Sequence, residues 1–122
     1  MGCLKPQNLE SIINIISENF DRSIGVHTHD NLGLALSNTI RSQAVGATWL
    51  DSTVLGIGRG PGNTKTEELI IELNSSEKNK FSLYPLLNLI KDDFQPLKNQ
   101  YKWGQNPFYY LSGKYKLSLI HI

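Results

Sequence analysis

The 122-residue sequence predicts an α/β fold built from parallel βα units. Two segments rich in β-branched residues, 23–29 and 47–58, are each followed by a segment whose apolar residues recur at helical spacing. A further amphipathic helix precedes the first strand, so helices and strands alternate along the chain. Strands joined by helix-length connections usually lie parallel in one sheet, with the helices packed on its faces.

The three predicted helices around these strands each have a start or a stop signal. The first begins at Pro6, because proline suits the first helical position. Its apolar stripe comprises Leu9, Ile12, Ile13, Ile16 and Phe20. The second is predicted over about 32–45, and Gly46 ends it. The third is predicted to open at Thr64, because the spacing from Thr64 to Glu67 matches a capping box.

The alternation of predicted strands and helices stops after the third helix. A polar loop at 74–80 precedes a fourth predicted helix over about 83–94, and the aromatic segment 101–115 has no clear helical or strand pattern. We therefore divide the chain at residue 75 and treat 76–116 as a helical and aromatic C-terminal extension. Residues 117–122, LSLIHI, match the translation of a common sequencing-adaptor end, and we expect them to be a non-native tail.

Bulk composition excludes several classes of protein but does not indicate a chemistry. The 12 basic and 11 acidic residues are dispersed, so no nucleic-acid or membrane-surface partner is predicted. The single cysteine, Cys3, rules out an internal disulfide and fits a reducing compartment. No apolar run approaches the ~18 residues of a membrane span, and no signal-peptide pattern begins the chain. We therefore expect a cytoplasmic protein.

The order of elements fits either a doubly wound sheet or a (β/α) barrel. Two parallel strands alone do not make a stable sheet with both faces covered. A TIM (β/α)8 barrel has eight strands and usually about 250 residues. Under the barrel hypothesis, this chain is the C-terminal part of the barrel, about its last two βα units, followed by the extension.

His27 and His29 carry the strongest chemical signal. Side chains two apart on a strand point the same way, so both imidazoles share a face at the strand's carboxyl end, where active sites of such folds lie. Two imidazoles on one face are suited to a metal ion. The alternative is that one histidine packs and the other caps a loop. Asp30 could orient an imidazole from behind, or could cap the helix that follows.

The glycine-rich loop at 56–63, GIGRGPGN, fails the nucleotide-binding patterns. Pro61 stands where the dinucleotide pattern needs a glycine, and the Gly-Lys-Ser/Thr of a P-loop is absent. The glycines instead allow a sharp bend and a close backbone approach. Asn63 ends the loop, where a turn or N-cap role is the ordinary one. Arg59 could meet a substrate carboxylate or lie in solvent.

Segment 25–69, GVHTHDNLGLALSNTIRSQAVGATWLDSTVLGIGRGPGNTKTEEL, resembles the closing part of the DRE-TIM metallolyases, a superfamily of HMG-CoA lyase-like barrels. The resemblance covers about 1–75. Its motifs are H-x-H-D, the helix with ALSNT, VGAT followed by an aspartate, and GN-x-x-x-E. Within the superfamily the chain most resembles 4-hydroxy-2-oxovalerate aldolase-like members, because its aromatic tail is similar to the short helical C-terminal extension of such members. The loop at 56–63 lacks the cysteine of the hydroxymethylglutaryl lyases, which argues against that subgroup.

The resemblance implies a divalent metal ion (Mn, Mg or Zn) held by His27 and His29, with Asn63 as a further ligand and Asp30 behind them. The metal would act as a Lewis acid on a 2-oxo acid, and a carbon–carbon bond of a 4-hydroxy-2-oxo acid would break or form through a metal-bound enolate. The implied partners are a small 2-oxo acid and an aldehyde, and a homo-oligomer is compatible with this assignment.

One departure from the superfamily concerns completeness. Its first metal ligand is an aspartate in an Arg-Asp-Gly stretch on strand one, and this sequence has no such stretch. We therefore expect the catalytic residues in a missing N-terminal part, and we expect the chain alone to be inactive.

Two alternatives stay open. One is a Claisen-type acyl-CoA condensing enzyme like the isopropylmalate and homocitrate synthases. The other is a non-catalytic βα module that interacts through an exposed aromatic patch formed by Tyr101, Trp103, Phe108, Tyr109 and Tyr110.

Overall fold

The computed structural model describes residues 2–76 and 80–118 and has an α/β architecture. The elements are α1 (Pro6–Asn19), β1 (Gly25–Val26), α2 (Ala35–Ala44), β2 (Trp49–Leu50), a 3-10 turn (Val54–Gly56), α3 (Thr66–Asn74), α4 (Tyr84–Leu89), a π-helical turn (Ile90–Phe94), α5 (Gln95–Tyr101) and α6 (Pro107–Tyr115). The predicted α/β class and the predicted alternation of helices and strands are confirmed, whereas the assignment to the last two βα units of a barrel stays a prediction.

The two strands pair in parallel, with Gly25 opposite Trp49 and Val26 opposite Leu50. Each strand has two residues, far fewer than predicted. The ladder is short because the chain beyond each strand hydrogen-bonds to the segment that ends the glycine-rich loop. The Asp30 N–H donates to the Gly62 carbonyl at 2.9 Å, and the Thr53 N–H donates to the Thr64 carbonyl at 2.9 Å.

The second helix begins at Ala35, three residues later than predicted. Residues 30–33 form a turn in which the Gly33 N–H donates to the Asp30 carbonyl at 3.1 Å, and Gly33 has a φ of 69°. The Asp30 carboxylate accepts a hydrogen bond from the Ala35 N–H at 3.0 Å. Asp30 therefore stabilises the start of α2, which is the capping alternative for this residue.

The predicted capping box at Thr64 is wrong. Helix α3 begins at Thr66, and its N-cap, Lys65, makes no side-chain capping bond. The Glu67 carboxylate instead accepts from the Leu55 N–H at 3.0 Å and so anchors the glycine-rich loop. The Thr64 hydroxyl instead forms hydrogen bonds with the hydroxyls of Thr28 and Thr39 in the protein interior.

Three buried threonine hydroxyls join the end of β1 to α2 and to the segment before α3. The Oγ1 atoms of Thr28, Thr39 and Thr64 lie 2.6–2.9 Å apart in all three pairs. Thr28 also donates to the Ala35 carbonyl at 3.0 Å. Thr39 and Thr64 are 0% and 1% exposed, so their hydrogen bonds must be made within the protein.

The C-terminal extension is helical over more of its length than predicted. The fourth predicted helix is confirmed, and helical structure continues from Tyr84 to Tyr101, where Lys102 takes a left-handed conformation. The aromatic segment then forms α6. Its N-cap, Asn106, accepts a hydrogen bond from the Tyr109 N–H at 3.0 Å. Pro107 occupies the first turn, so this unpredicted helix has an ordinary start signal.

The apolar core is small. Among the described residues, it consists of Leu9, Ile13, Ala35, Ala47, Leu69 and Trp103. Large apolar side chains stay exposed on the strand face and on α1: Trp49 is 71% exposed and Ile15 is 61% exposed. None of the helices in the described ranges is long and apolar enough to cross a membrane. The expected non-native tail at 117–122 falls largely outside the described residues and stays a prediction.

We expect Thr39→Val to lower the free energy of unfolding by about 1–3 kcal/mol, because the methyl group keeps the volume but removes a buried hydrogen-bond partner of Thr28 and Thr64. Urea denaturation measures the change. The control is Ser11→Ala, which removes an exposed hydroxyl of α1 and should alter stability by less than about 0.5 kcal/mol. Equal effects of the two substitutions would contradict a structural role for the threonine cluster.

Candidate functional site

The predicted histidine pair lies directly after β1. The imidazole centroids of His27 and His29 are 4.9 Å apart, and their planes are inclined at 77°. Both side chains line a cleft of about 680 Å³. The structure therefore brings the two imidazoles together at the carboxyl end of the strand, as the alternation of side chains predicts.

His27 contacts a carboxylate that sequence reasoning missed. Its Nδ1 lies 2.6 Å from Oδ2 of Asp51, the residue that follows β2. These two residues come one position after the paired Val26 and Leu50, so the parallel register places them side by side. In the sequence, Asp51 lies within the second predicted strand segment, but the pairing register that sets it beside His27 is known only from the structure.

The contact between His27 and Asp51 orients the imidazole more than it stabilises the fold. The side chains are 46% and 66% exposed, so their electrostatic attraction is weakened by water. A carboxylate at Nδ1 nevertheless fixes the ring orientation and leaves Nε2 available for another partner. This is the arrangement that carboxylates commonly form behind metal-bound histidines.

The backbone of His29 pairs with that of Asn63. The two residues form an isolated β-bridge, and the neighbouring Asp30 N–H donates to the Gly62 carbonyl at 2.9 Å. Partial burial lowers the pKa of His29, and the adjacent His27 and Arg59 lower it further. The neutral imidazole, which is the form that binds metal ions, is therefore favoured at His29.

Asn63 has a side-chain oxygen with an unmet hydrogen-bonding capacity. Its Nδ2 donates to the Ile57 carbonyl at 3.1 Å, whereas its buried Oδ1 has no hydrogen-bond partner among residues 2–76 and 80–118. Gly58 makes room for this carboxamide, because a Cβ at Gly58 would stand 2.6 Å from Nδ2. A buried oxygen without a donor costs about 1–3 kcal/mol, which a bound cation would offset.

Asp30 does not contact an imidazole among the hydrogen bonds of the described residues, although we expected it to orient one. Its Oδ1 accepts from the Ala35 N–H, and Asp51 instead contacts the His27 ring. Burial raises the pKa of the Asp30 carboxyl, opposed by the hydrogen bond from Ala35. Asp30 thus supports the turn that follows the histidines.

The candidate donor atoms are of a kind that a divalent cation accepts. Two imidazole nitrogens and one amide oxygen are ligands that Zn²⁺ and Mn²⁺ accept. Within residues 2–76 and 80–118, no three His, Cys, Asp or Glu side chains cluster as a metal site. The described residues therefore place two imidazoles, but no carboxylate in a cluster with both of them, at this position.

The C-terminal extension covers the loops that follow both strands. The Gln105 side chain donates to the Asp30 carbonyl at 2.8 Å, and the Gly104 N–H donates to the Gly60 carbonyl at 2.9 Å. The Trp103 indole, 8% exposed, donates to the Leu55 carbonyl at 2.9 Å. These contacts hold the extension against the candidate site.

The aromatic residues of the extension do not form one exposed patch. Tyr101, Phe108 and Tyr110 are exposed, whereas Trp103 is buried. Tyr109 is half-buried, with its ring against Gly60. Arg59 is exposed and forms no ion pair with any described residue, which favours the solvent alternative.

Comparisons with known proteins relate the chain to a family. The model of the HMGL-like family matches residues 1–91. The 4-hydroxy-2-oxovalerate aldolase of Pelotomaculum thermopropionicum is 40% identical over 75 residues, which cover 62% of this chain and 22% of that protein. The aldolase of the same name from Moorella thermoacetica is 27% identical over 123 residues, which cover 98% of this chain and 36% of the relative. The chain thus spans roughly a fifth to a third of the length of such relatives.

Solved structures show the same fold. The N-terminal domain of a candidate aldolase from Bacteroides vulgatus is 33% identical and superposes with a TM-score of 0.91, covering 98% of this chain and 40% of that one. The HMG-CoA lyase of Bacillus subtilis, 23% identical, superposes with a TM-score of 0.70 over 93% of this chain and 39% of that one, and supports the fold alone. On its sequence match over most of its length, the chain belongs to the HMGL-like family.

Proposed function

We propose that this chain is the C-terminal part of a divalent-metal-dependent barrel enzyme that cleaves or forms a carbon–carbon bond in a 4-hydroxy-2-oxo acid. In this proposal residues 1–75 supply the last two βα units of a TIM barrel, and 76–116 form a helical extension. The names of the relatives support the reaction class, and the partial coverage of those relatives supports the placement within a longer protein.

The observation that carries the proposal is the histidine pair after β1, whose ring centroids lie 4.9 Å apart and whose first member contacts the Asp51 carboxylate through Nδ1. Asn63, whose backbone is bridged to that of His29, adds a buried Oδ1 that has no hydrogen-bond partner among the described residues. A turn or N-cap asparagine would use that oxygen to accept a hydrogen bond from the backbone. Here the carboxamide is held through Nδ2, and Gly58 provides the space that it occupies. Such an arrangement is suited to an oxygen that binds a cation.

The residues of this chain have distinct tasks in the proposed site. His27 and His29 supply ring nitrogens, Asn63 supplies an amide oxygen, and Asp51 orients the His27 ring through Nδ1. When bound, the divalent metal would supply a Lewis acid that stabilises negative charge on substrate oxygens. The acid–base groups and the carboxylate ligand would come from preceding strands, so we propose that the chain alone has no turnover.

The two alternative functions receive less support. No feature of residues 2–76 or 80–118 favours an acyl-CoA condensing enzyme over an aldolase. The module hypothesis needs a continuous aromatic surface, but Trp103 is buried and Tyr109 packs against the glycine-rich loop.

Alanine substitution of either histidine tests the proposal. In the intact protein, His27→Ala and His29→Ala should each weaken Mn²⁺ binding by more than about 100-fold. Loss of a ligand atom lowers metal affinity more than loss of a residue that only orients a ligand. Calorimetric titration measures the affinity, and turnover of a 4-hydroxy-2-oxo acid should fall in parallel. Gln43→Ala, an exposed change in α2, is the control. Unchanged metal affinity in both histidine variants would refute the assignment.

Substitution of Asp51 tests the orienting role. Asp51→Asn should weaken Mn²⁺ binding by about 10–100-fold without altering the stoichiometry, because the imidazole would lose its carboxylate partner but keep its ligand atom. The matched control is Asp21→Asn, an exposed aspartate before β1. If both variants bind the metal as the unsubstituted protein does, Asp51 has no part in the site.

A further inference from the structure

We propose that Trp103, in the C-terminal extension, is a positioning residue of the candidate site. Its indole N–H holds Leu55 in a left-handed backbone conformation, and the segment that follows Leu55 holds the carboxamide of Asn63. The inference rests on the proposed function, since it adds to the residues that place a proposed metal ligand. Trp103 acts on the site through the glycine-rich loop, and not by binding metal or substrate.

Leu55 has a backbone conformation that a leucine rarely adopts. Its φ is 51° and its ψ is 22°, in the left-handed region, where a Cβ crowds the backbone. Such a conformation persists only when the surrounding structure holds it. Both polar groups of the Leu55 backbone are held: the N–H donates to the Glu67 carboxylate at 3.0 Å, and the carbonyl accepts from Nε1 of Trp103 at 2.9 Å. These two hydrogen bonds therefore stabilise the left-handed conformation just before the glycine-rich loop.

The two residues after Leu55 determine the position of Asn63. The Gly56 carbonyl accepts from the Asn63 N–H at 3.1 Å, and the Ile57 carbonyl accepts from Nδ2 of Asn63 at 3.1 Å. The directions of both carbonyl groups depend on the φ and ψ of Leu55, because a rotation there turns the chain that follows. A Leu55 that returned to an ordinary conformation would therefore displace the groups that hold the backbone and the side chain of Asn63.

Trp103 is itself fixed against the glycine-rich loop. Its side chain is 8% exposed, although it lies in the connection between α5 and α6. The next residue, Gly104, has a φ of 123°, which favours glycine, and its N–H donates to the Gly60 carbonyl at 2.9 Å. A buried indole N–H needs an acceptor, and here the acceptor is the carbonyl of the left-handed leucine. The extension thus contacts the loop both at its start and at its tip.

The experiment removes the indole donor in the intact protein and uses Mn²⁺ as the probe. Replacing Trp103 with β-(3-benzothienyl)alanine keeps the shape of the bicyclic ring and puts sulfur where the N–H was. We expect the Kd for Mn²⁺, measured by calorimetry, to rise about 3–10-fold, the usual effect of one lost hydrogen bond. In the metal-free protein, hydrogen exchange of the Asn63 amide should quicken by a similar factor, whereas the Leu69 amide in α3 should change less than about twofold. Tyr101→Phe, which removes an exposed hydroxyl of the extension, should alter neither quantity.

The substitution Leu55→Gly separates positioning from packing. Glycine adopts the left-handed conformation without strain, so the indole hydrogen bond is no longer needed to maintain it. In the Leu55→Gly background, the same replacement at Trp103 should therefore change the Kd for Mn²⁺ by less than about twofold. An equal rise in both backgrounds would show that Trp103 acts by packing alone and would overturn the inference.

Hydrogen exchange separates this inference from the proposed function. If the unsubstituted protein binds no Mn²⁺ at the histidine pair, the proposed function fails, and quicker exchange at Asn63 still supports the action of Trp103 on the glycine-rich loop. If the protein binds Mn²⁺ and the replacement at Trp103 changes neither the exchange nor the affinity, the proposed function stands and the role of Trp103 is overturned.

Discussion

The in-register parallel pairing of β1 with β2 is the constraint on which the site depends. It aligns Val26 with Leu50, and one residue further on it places His27 beside Asp51. A shift of one residue would turn either side chain to the opposite face, because side chains alternate along a strand. The register therefore determines which carboxylate orients the imidazole, and it brings the ends of both strands to one edge of the sheet.

The threonine cluster and the glycine-rich loop hold that edge together. The hydroxyl of Thr64 is bonded to those of Thr28 and Thr39, which fixes the residue after Asn63 against the strand end. The loop reaches this point because Gly62 has a φ of 83° and lies too close to the Gly56 carbonyl for any side chain. Burial of three hydroxyls is tolerated since each finds a partner. The residues that hold this edge of the fold together and the candidate metal ligands therefore lie in the same short segments of the chain.

Much of this arrangement follows from sequence patterns, and the exceptions have physical reasons. Alternation of side chains was enough to place His27 and His29 on one face, and apolar periodicity was enough for α1. The role of Asp51 depends on pairing between segments 24 residues apart, which no local pattern contains. Thr64 has the spacing of a cap, but its hydroxyl is hydrogen-bonded to those of Thr28 and Thr39, because tertiary hydrogen bonds compete with local ones. Helix α6 was not predicted, because its aromatic composition gives no clear helical pattern, although Asn106 and Pro107 are ordinary helix start signals.

Anomalous diffraction from crystals of the Mn²⁺-loaded intact protein would show whether His27, His29 and Asn63 bind one metal ion. We expect an anomalous peak about 2.0–2.3 Å from a ring nitrogen of each histidine and from Oδ1 of Asn63, with Asp51 still at Nδ1 of His27. A peak elsewhere, or an Asn63 Oδ1 that accepts a hydrogen bond while the histidines bind no metal, would contradict this assignment of the metal ligands.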